Sequence, residues 1–93
     1  MILREKEYLY DTKNVLKERR IALRLKQVDA ASRSGVNIAT LRLFEKTGNI
    51  SYYNLLKLLV LYRMDLKFIS ALTDRSWWTI QELERAEKFK SVR

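Results

Sequence analysis

Cysteine, histidine and proline are absent from this 93-residue sequence, and glycine occurs only twice. Without cysteine there is no disulfide, no thiolate metal site and no thiol nucleophile. Without histidine the chain lacks the side chain that titrates near neutrality and the commonest transition-metal ligand. It has neither a phosphate-cradling glycine loop nor clustered carboxylates suited to Mg²⁺, so catalysis, a cofactor and a bound metal are not expected. Long apolar runs are missing too. The longest, Leu58 to Tyr62, sits between Lys57 and Arg63, far short of the ~20 residues a membrane span requires. The opening residues Met1-Ile2-Leu3-Arg4-Glu5-Lys6-Glu7 mix acids with bases and form no secretory h-region. A cytoplasmic protein without membrane association is the expectation.

What remains is one small domain. At 47% hydrophobic and 32% charged, the composition belongs to a folded chain rather than a disordered one. Nineteen Lys and Arg stand against eleven Asp and Glu, a net charge of +8. The surplus is spread along the chain with no basic tail, so any anion-binding surface must be assembled by folding. Such a balance favours anionic partners, nucleic acid foremost, although a soluble domain of high isoelectric point shares it.

Apolar periodicity predicts helices separated by short polar breaks. A first helix runs from about Thr12 or Lys13 to Arg24, with Leu16, Arg20 and Leu23 on one face. Arg20 thus lies on an apolar stripe and needs an acidic partner if that stripe is buried. A second helix spans about Gln27 to Ser34 with Val28 and Ala31 inward, and Gly35 breaks it. Asn37 is a good N-cap for a third helix, about Ile38 to Lys46, with Leu41, Phe44 and Glu45 inward and Gly48 as its stop. Ser51 caps a leucine-rich fourth helix, Tyr52 to Tyr62, either central to the core or shared with a second subunit. Packing of Tyr52 with Leu55 and Leu59 is preferred there, and Tyr53 is left open. Asp65 caps a fifth helix, about Leu66 to Leu72. Thr79 and Glu82 form a capping box for a last helix through about Phe89.

The informative stretch is Gln27-Val28-Asp29-Ala30-Ala31-Ser32-Arg33-Ser34-Gly35-Val36-Asn37-Ile38-Ala39-Thr40-Leu41-Arg42-Leu43-Phe44-Glu45. Ala31 is small where a second helix must cross, and Gly35 accepts the positive φ of a sharp turn. Val36, Leu41 and Phe44 seal the angle between the two helices. This is a helix-turn-helix pattern, whose second helix enters the DNA major groove.

With these residues the chain resembles the lambda-repressor-like (Cro- or XRE-type) regulators. The resemblance covers about Val15 to Leu72, including Leu16-Lys17-Glu18-Arg19-Arg20 and Leu41-Arg42-Leu43-Phe44-Glu45. It implies an all-α, five-helix DNA-binding domain, here with an extra C-terminal helix, that binds pseudo-palindromic double-stranded DNA as a homodimer. It also implies a structural ion pair between Arg20 and Glu45. Carried over position by position, it implies phosphate contacts from Lys26, Gln27 and Lys46. Asn37, Ile38, Ala39, Thr40, Arg42 and Leu43 fall at or beside base-reading positions. Arg42 is the best reader, since its planar fork matches guanine O6 and N7. Ile38, Ala39 and Leu43 are apolar where relatives often carry polar residues. They either meet thymine methyl groups or, for Ile38 and Leu43, pack against neighbouring helices. Ala30 replaces a usual leucine, implying a locally thinner core.

The chain therefore divides into an N-terminal arm (1–11), a DNA-binding domain (12–73) and a C-terminal interaction helix (74–93). Leu58, Leu61, Trp77, Trp78 and Phe89 are candidates for a protein interface, while the tail helix closing its own subunit's core is the simpler alternative. With the leucine-rich fourth helix, the tail resembles HipB-like antitoxins, which implies autorepression of a toxin–antitoxin operon and a HipA-like kinase toxin as partner. A phage-type or stand-alone repressor shares these features. A protein-interaction module of the same fold with weak DNA specificity is the other reading.

Overall fold

The computed structural model describes residues 3–92, with side chains to residue 89. Residues 1, 2 and 93, the outermost positions of the expected arm and tail, lie outside it. All regular structure among the described residues is helical, so the protein is all-α. In chain order the helices are α1 (Arg4–Ala22), α2 (Gln27–Ser34), α3 (Ile38–Thr47), α4 (Tyr52–Leu61), α5 (Asp65–Thr73) and α6 (Ile80–Val92). None of them is long and apolar enough to cross a membrane.

α1 begins eight residues before its expected start. The arm is helix from Arg4 onward, with Glu5 and Glu7 in the first turn, where they complement the helix dipole. Its far end also departs from the expectation. Arg24 adopts a left-handed φ of 59°, and the Leu25 N–H turns back to the Arg20 carbonyl at 3.1 Å. Arg63 repeats the device after α4 at φ 60°, with the Met64 N–H on the Leu59 carbonyl at 2.8 Å. Glycine does the same work after α2 and α3, where Gly35 and Gly48 have φ of 79° and 84°. Gly48 carries a second constraint: a Cβ there would lie 2.8 Å from the Leu9 carbonyl oxygen and 2.9 Å from the Leu9 Cβ.

The core gathers Leu16 of α1, Ala30 and Ala31 of α2, Val36 of the turn, Leu41 and Phe44 of α3, and Leu58, Leu59 and Tyr62 around α4. Burying side chains as large as Phe44 and Leu41 contributes roughly 1.5–3 kcal/mol each. Ala30 is fully buried, and its small size lets α2 and α4 approach each other closely. α1 packs on α3, α2 on both α3 and α4, and α4 on α5.

Three expectations about facing and capping are corrected. Val28 points outward and is 60% exposed, because the crossing with α3 and α4 uses Ala30 and Ala31. Asp65 does not cap α5: Met64 occupies that position, and Asp65 lies in the first turn. Tyr52 is exposed rather than packed with Leu55 and Leu59, its ring 6.4 Å from that of Phe68.

Tyr62 is buried, yet its hydroxyl has no hydrogen-bond partner among the described residues. Burial pushes its ionisation from the ordinary 10.0 up to about 12, with the Glu45 carboxylate adding to the rise and Arg20 opposing it. Replacing Tyr62 by phenylalanine removes an unsatisfied polar atom. It is expected to leave stability unchanged or raise it by about 1 kcal/mol, measured by urea unfolding at neutral pH. The folded state holds the phenolic proton more tightly than the unfolded chain. Its contribution is therefore complete below pH 10 and is lost as pH rises towards 12. The Tyr62→Phe variant should lose less stability than the parent over that window.

Candidate nucleic-acid interface

The connection between α2 and α3 is three residues, Gly35 to Asn37. Gly35 donates its N–H to the Ala31 carbonyl at 3.0 Å, and the Ser34 hydroxyl accepts from the Val36 N–H at 3.1 Å. Asn37 then starts α3 as expected, its Oδ1 accepting from the Ala39 N–H at 2.8 Å. These bonds fix where α3 begins and which way it faces.

Along α3, Leu41, Phe44 and Glu45 are buried. Ala39, Arg42, Leu43 and Lys46 recur at i, i+3, i+4 and i+7 and form one outward stripe, all four exposed. The side chains of Arg42 and Lys46 make no hydrogen bond or ion pair among the described residues, so both charges remain available. Leu43 is 54% exposed and stands on this stripe rather than in a helix contact. Ile38 does the reverse: it is half-buried against the core, which removes it from the outward stripe. Thr40 is half-buried at the edge of the stripe, and Asn37 is exposed with its side-chain oxygen committed to the cap.

Behind the stripe lies a buried ion pair. Arg20 and Glu45 are each 8% exposed and meet through two parallel bonds, Nε to Oε2 at 2.7 Å and Nη2 to Oε1 at 3.0 Å. The third arm of the guanidinium donates to the Leu25 carbonyl at 2.8 Å. Bonding to Glu45 raises the Arg20 pKa above its ordinary value despite the opposing effect of burial. The expected pairing of these two residues is therefore present. Comparison with family models, curated proteins and solved structures finds no match for this chain.

Gln27 has a role its spacing did not disclose. Its Nε2 donates to Glu45 Oε1 at 2.9 Å, so the side chain expected to contact phosphate is half-buried as part of the ion-pair cluster. Eighteen residues separate Gln27 from Glu45, and no local sequence signal marks such a contact. α2 itself starts without a side-chain cap: Lys26 is the N-cap residue and is exposed, its carbonyl accepting from the Ala30 N–H at 2.9 Å while its side chain makes no cap bond. Leading N–H groups of that kind, beside a lysine, attract anions.

Sequence spacing also missed the bond from Arg19 Nε to the Tyr62 carbonyl at 3.0 Å, which ties α1 to the end of α4. Of the interface candidates, Leu58 is withdrawn. It is fully buried in the core of its own chain because α4 is covered by α2 on that side. Leu61 and Trp78 are half-buried, whereas Trp77 and Phe89 are exposed. Among the described residues the buried cluster contains none beyond Tyr62, so no described side chain of α6 closes the core.

Proposed function

We propose that the protein is a sequence-specific DNA-binding regulator of the lambda-repressor-like, helix-turn-helix kind, acting as a repressor through α3. The observation that carries this reading is the outward stripe of Ala39, Arg42, Leu43 and Lys46. It has two uncommitted cations and stands on a helix braced from behind by Arg20, Glu45 and Gln27. In the major groove Arg42 presents two parallel N–H donors to guanine O6 and N7, and Leu43 and Ala39 meet thymine methyl groups. Lys46, Lys26 and the open first turn of α2 take phosphates, which sets the register of α3 without reading sequence.

The test separates these roles. Duplexes enriched from a random pool by the full chain serve as the ligand. Arg42→Ala is expected to weaken binding to the enriched site by about 1–3 kcal/mol and to relax preference at one position. Lys46→Ala should weaken all duplexes alike and lower the slope of log K against log salt by about 1. A pool that fails to enrich, or affinities that ignore Arg42→Ala, would overturn the reading.

A second reading, the HipB-like antitoxin, is favoured by the tail. Trp77 is 75% and Phe89 72% exposed, large aromatic surfaces of the sort that anchor protein interfaces. Co-purification with a HipA-like kinase, lost in Trp77→Ala, is the outcome that supports it. Unaltered capture by that variant would count against it.

A further inference from the structure

We propose that the protein forms a symmetric dimer in which α6 of each copy lies in a groove on the other, between α1, α4 and α5. The groove encloses about 560 Å³. Its floor is apolar, built from Val15 and Leu16, Leu55 and Leu59, and Met64 and Phe68. Three cations stand around it. Arg19 is committed to the Tyr62 carbonyl, whereas Arg63 and Lys67 are exposed and have no ion pair among the described residues.

α6 carries the complement. Ile80, Leu83, Glu84 and Glu87 recur at i, i+3, i+4 and i+7, so two apolar and two acidic side chains share one face. Ile80 is 73% and Leu83 38% exposed, so both apolar side chains of this face are open to a partner. The rest of the chain is strongly basic: residues 1–73 hold fourteen Lys and Arg against seven Asp and Glu. An acidic, apolar helix face and a basic-rimmed, apolar groove are matched in both hydropathy and charge.

The occupant is a second copy because α6 does not fill its own groove: the residues lining it end at Phe68. Between Thr73 and Ile80 short-range hydrogen bonds order the connection. Arg75 Nη1 donates to the Thr73 carbonyl at 3.2 Å, and the Ser76 N–H to Asp74 Oδ1 at 2.9 Å. The Trp78 N–H donates to the Arg75 carbonyl at 3.0 Å, and the Arg75 guanidinium lies 5.8 Å from the centre of the Trp78 ring. Thr79 and Glu82 close the capping box, at 2.8 and 3.1 Å. These short-range bonds give the connection a defined local shape, and no described residue of α6 belongs to the buried cluster. The radius of gyration, 16.7 Å, agrees: a compact chain of this length would have about 12 Å. Exchange of α6 about a two-fold axis fills both grooves at once and leaves the outward stripe of α3 uncovered. The assembly requires no DNA.

Light scattering and sedimentation equilibrium of the full chain without DNA test this directly. The wild type is expected at twice the 11.1 kDa chain mass. Lys67→Glu and Glu87→Lys each set like charges against one another and should weaken the dimer at least ~10-fold. Mixing the two variants restores opposite charges in both grooves, so the mixture should dimerise as the wild type does. Both positions are exposed, and far-UV circular dichroism checks that each variant remains folded. A wild type of single-chain mass at every concentration would overturn the proposal. So would a dimer indifferent to either substitution, or variants that stay monomeric when mixed, which would mean that residues 67 and 87 do not face each other across the dimer.

Discussion

Replacing Glu45 by alanine is expected to lower the unfolding free energy by about 3–5 kcal/mol, the largest effect of any single polar substitution in this chain. The loss arises less from the missing attraction than from what it leaves behind. Arg20 stays buried and charged, with the Leu25 carbonyl as its last partner, and the Gln27 amide loses its acceptor. A domain of this size has about 5–15 kcal/mol in total, so urea unfolding should show a midpoint displaced by roughly a fifth or more. Arg20→Met alone should cost a similar amount, since it strands the carboxylate instead. The pair Arg20→Met with Glu45→Leu should recover most of the loss, because two well-packed apolar side chains can replace a buried ion pair at little cost. Single variants within 1 kcal/mol of the parent would mean that the pair does not brace the fold.

Gly48→Ala should be the more disruptive of the two glycine substitutions. Both glycines hold a left-handed φ, which costs an alanine roughly 1–2 kcal/mol. At Gly35 that is the whole cost, for a Cβ there meets nothing within 4 Å. At Gly48 the added carbon would come within 2.8–3.1 Å of the Leu9 carbonyl oxygen, Cβ and carbonyl carbon. Two of those are backbone atoms of α1, so no rotamer change relieves the contact and the helix itself must move. A further ~1–3 kcal/mol of overpacking follows. Thermal unfolding compares the two variants, and hydrogen exchange should show faster exchange in the first turns of α1 for Gly48→Ala only. Equal costs at the two positions would remove Leu9 from Gly48 in solution.

The same two glycines explain how much of the fold was legible beforehand. They announce the ends of α2 and α3, and with the Asn37 and Ser51 caps they fixed those helices to within a residue. α1 and α4 end on the same left-handed geometry at Arg24 and Arg63, where an ordinary arginine gives no notice. The start of α1 was hidden for a different reason. Leu3 precedes it with no capping side chain, and its first two turns are exposed on most sides, so no apolar periodicity marks them. Within the candidate site, helical spacing placed Arg20 and Glu45 on inward faces and left Arg42 and Lys46 outside. The Gln27 bond to Glu45 depends on how α2 lies across the base of α3, a tertiary relation that no local pattern encodes. Ile38 was likewise ambiguous, since it occupies the border between the inward and outward faces of α3.

That border has an evolutionary corollary. The residues of α3 that hold the fold, Leu41, Phe44 and Glu45, and those that face outward, Ala39, Arg42, Leu43 and Lys46, share a helix but no position. Exchanging side chains in the second group opens no cavity and strands no charge. A lineage carrying this scaffold can therefore change the chemistry of its outward α3 face with its thermal tolerance intact.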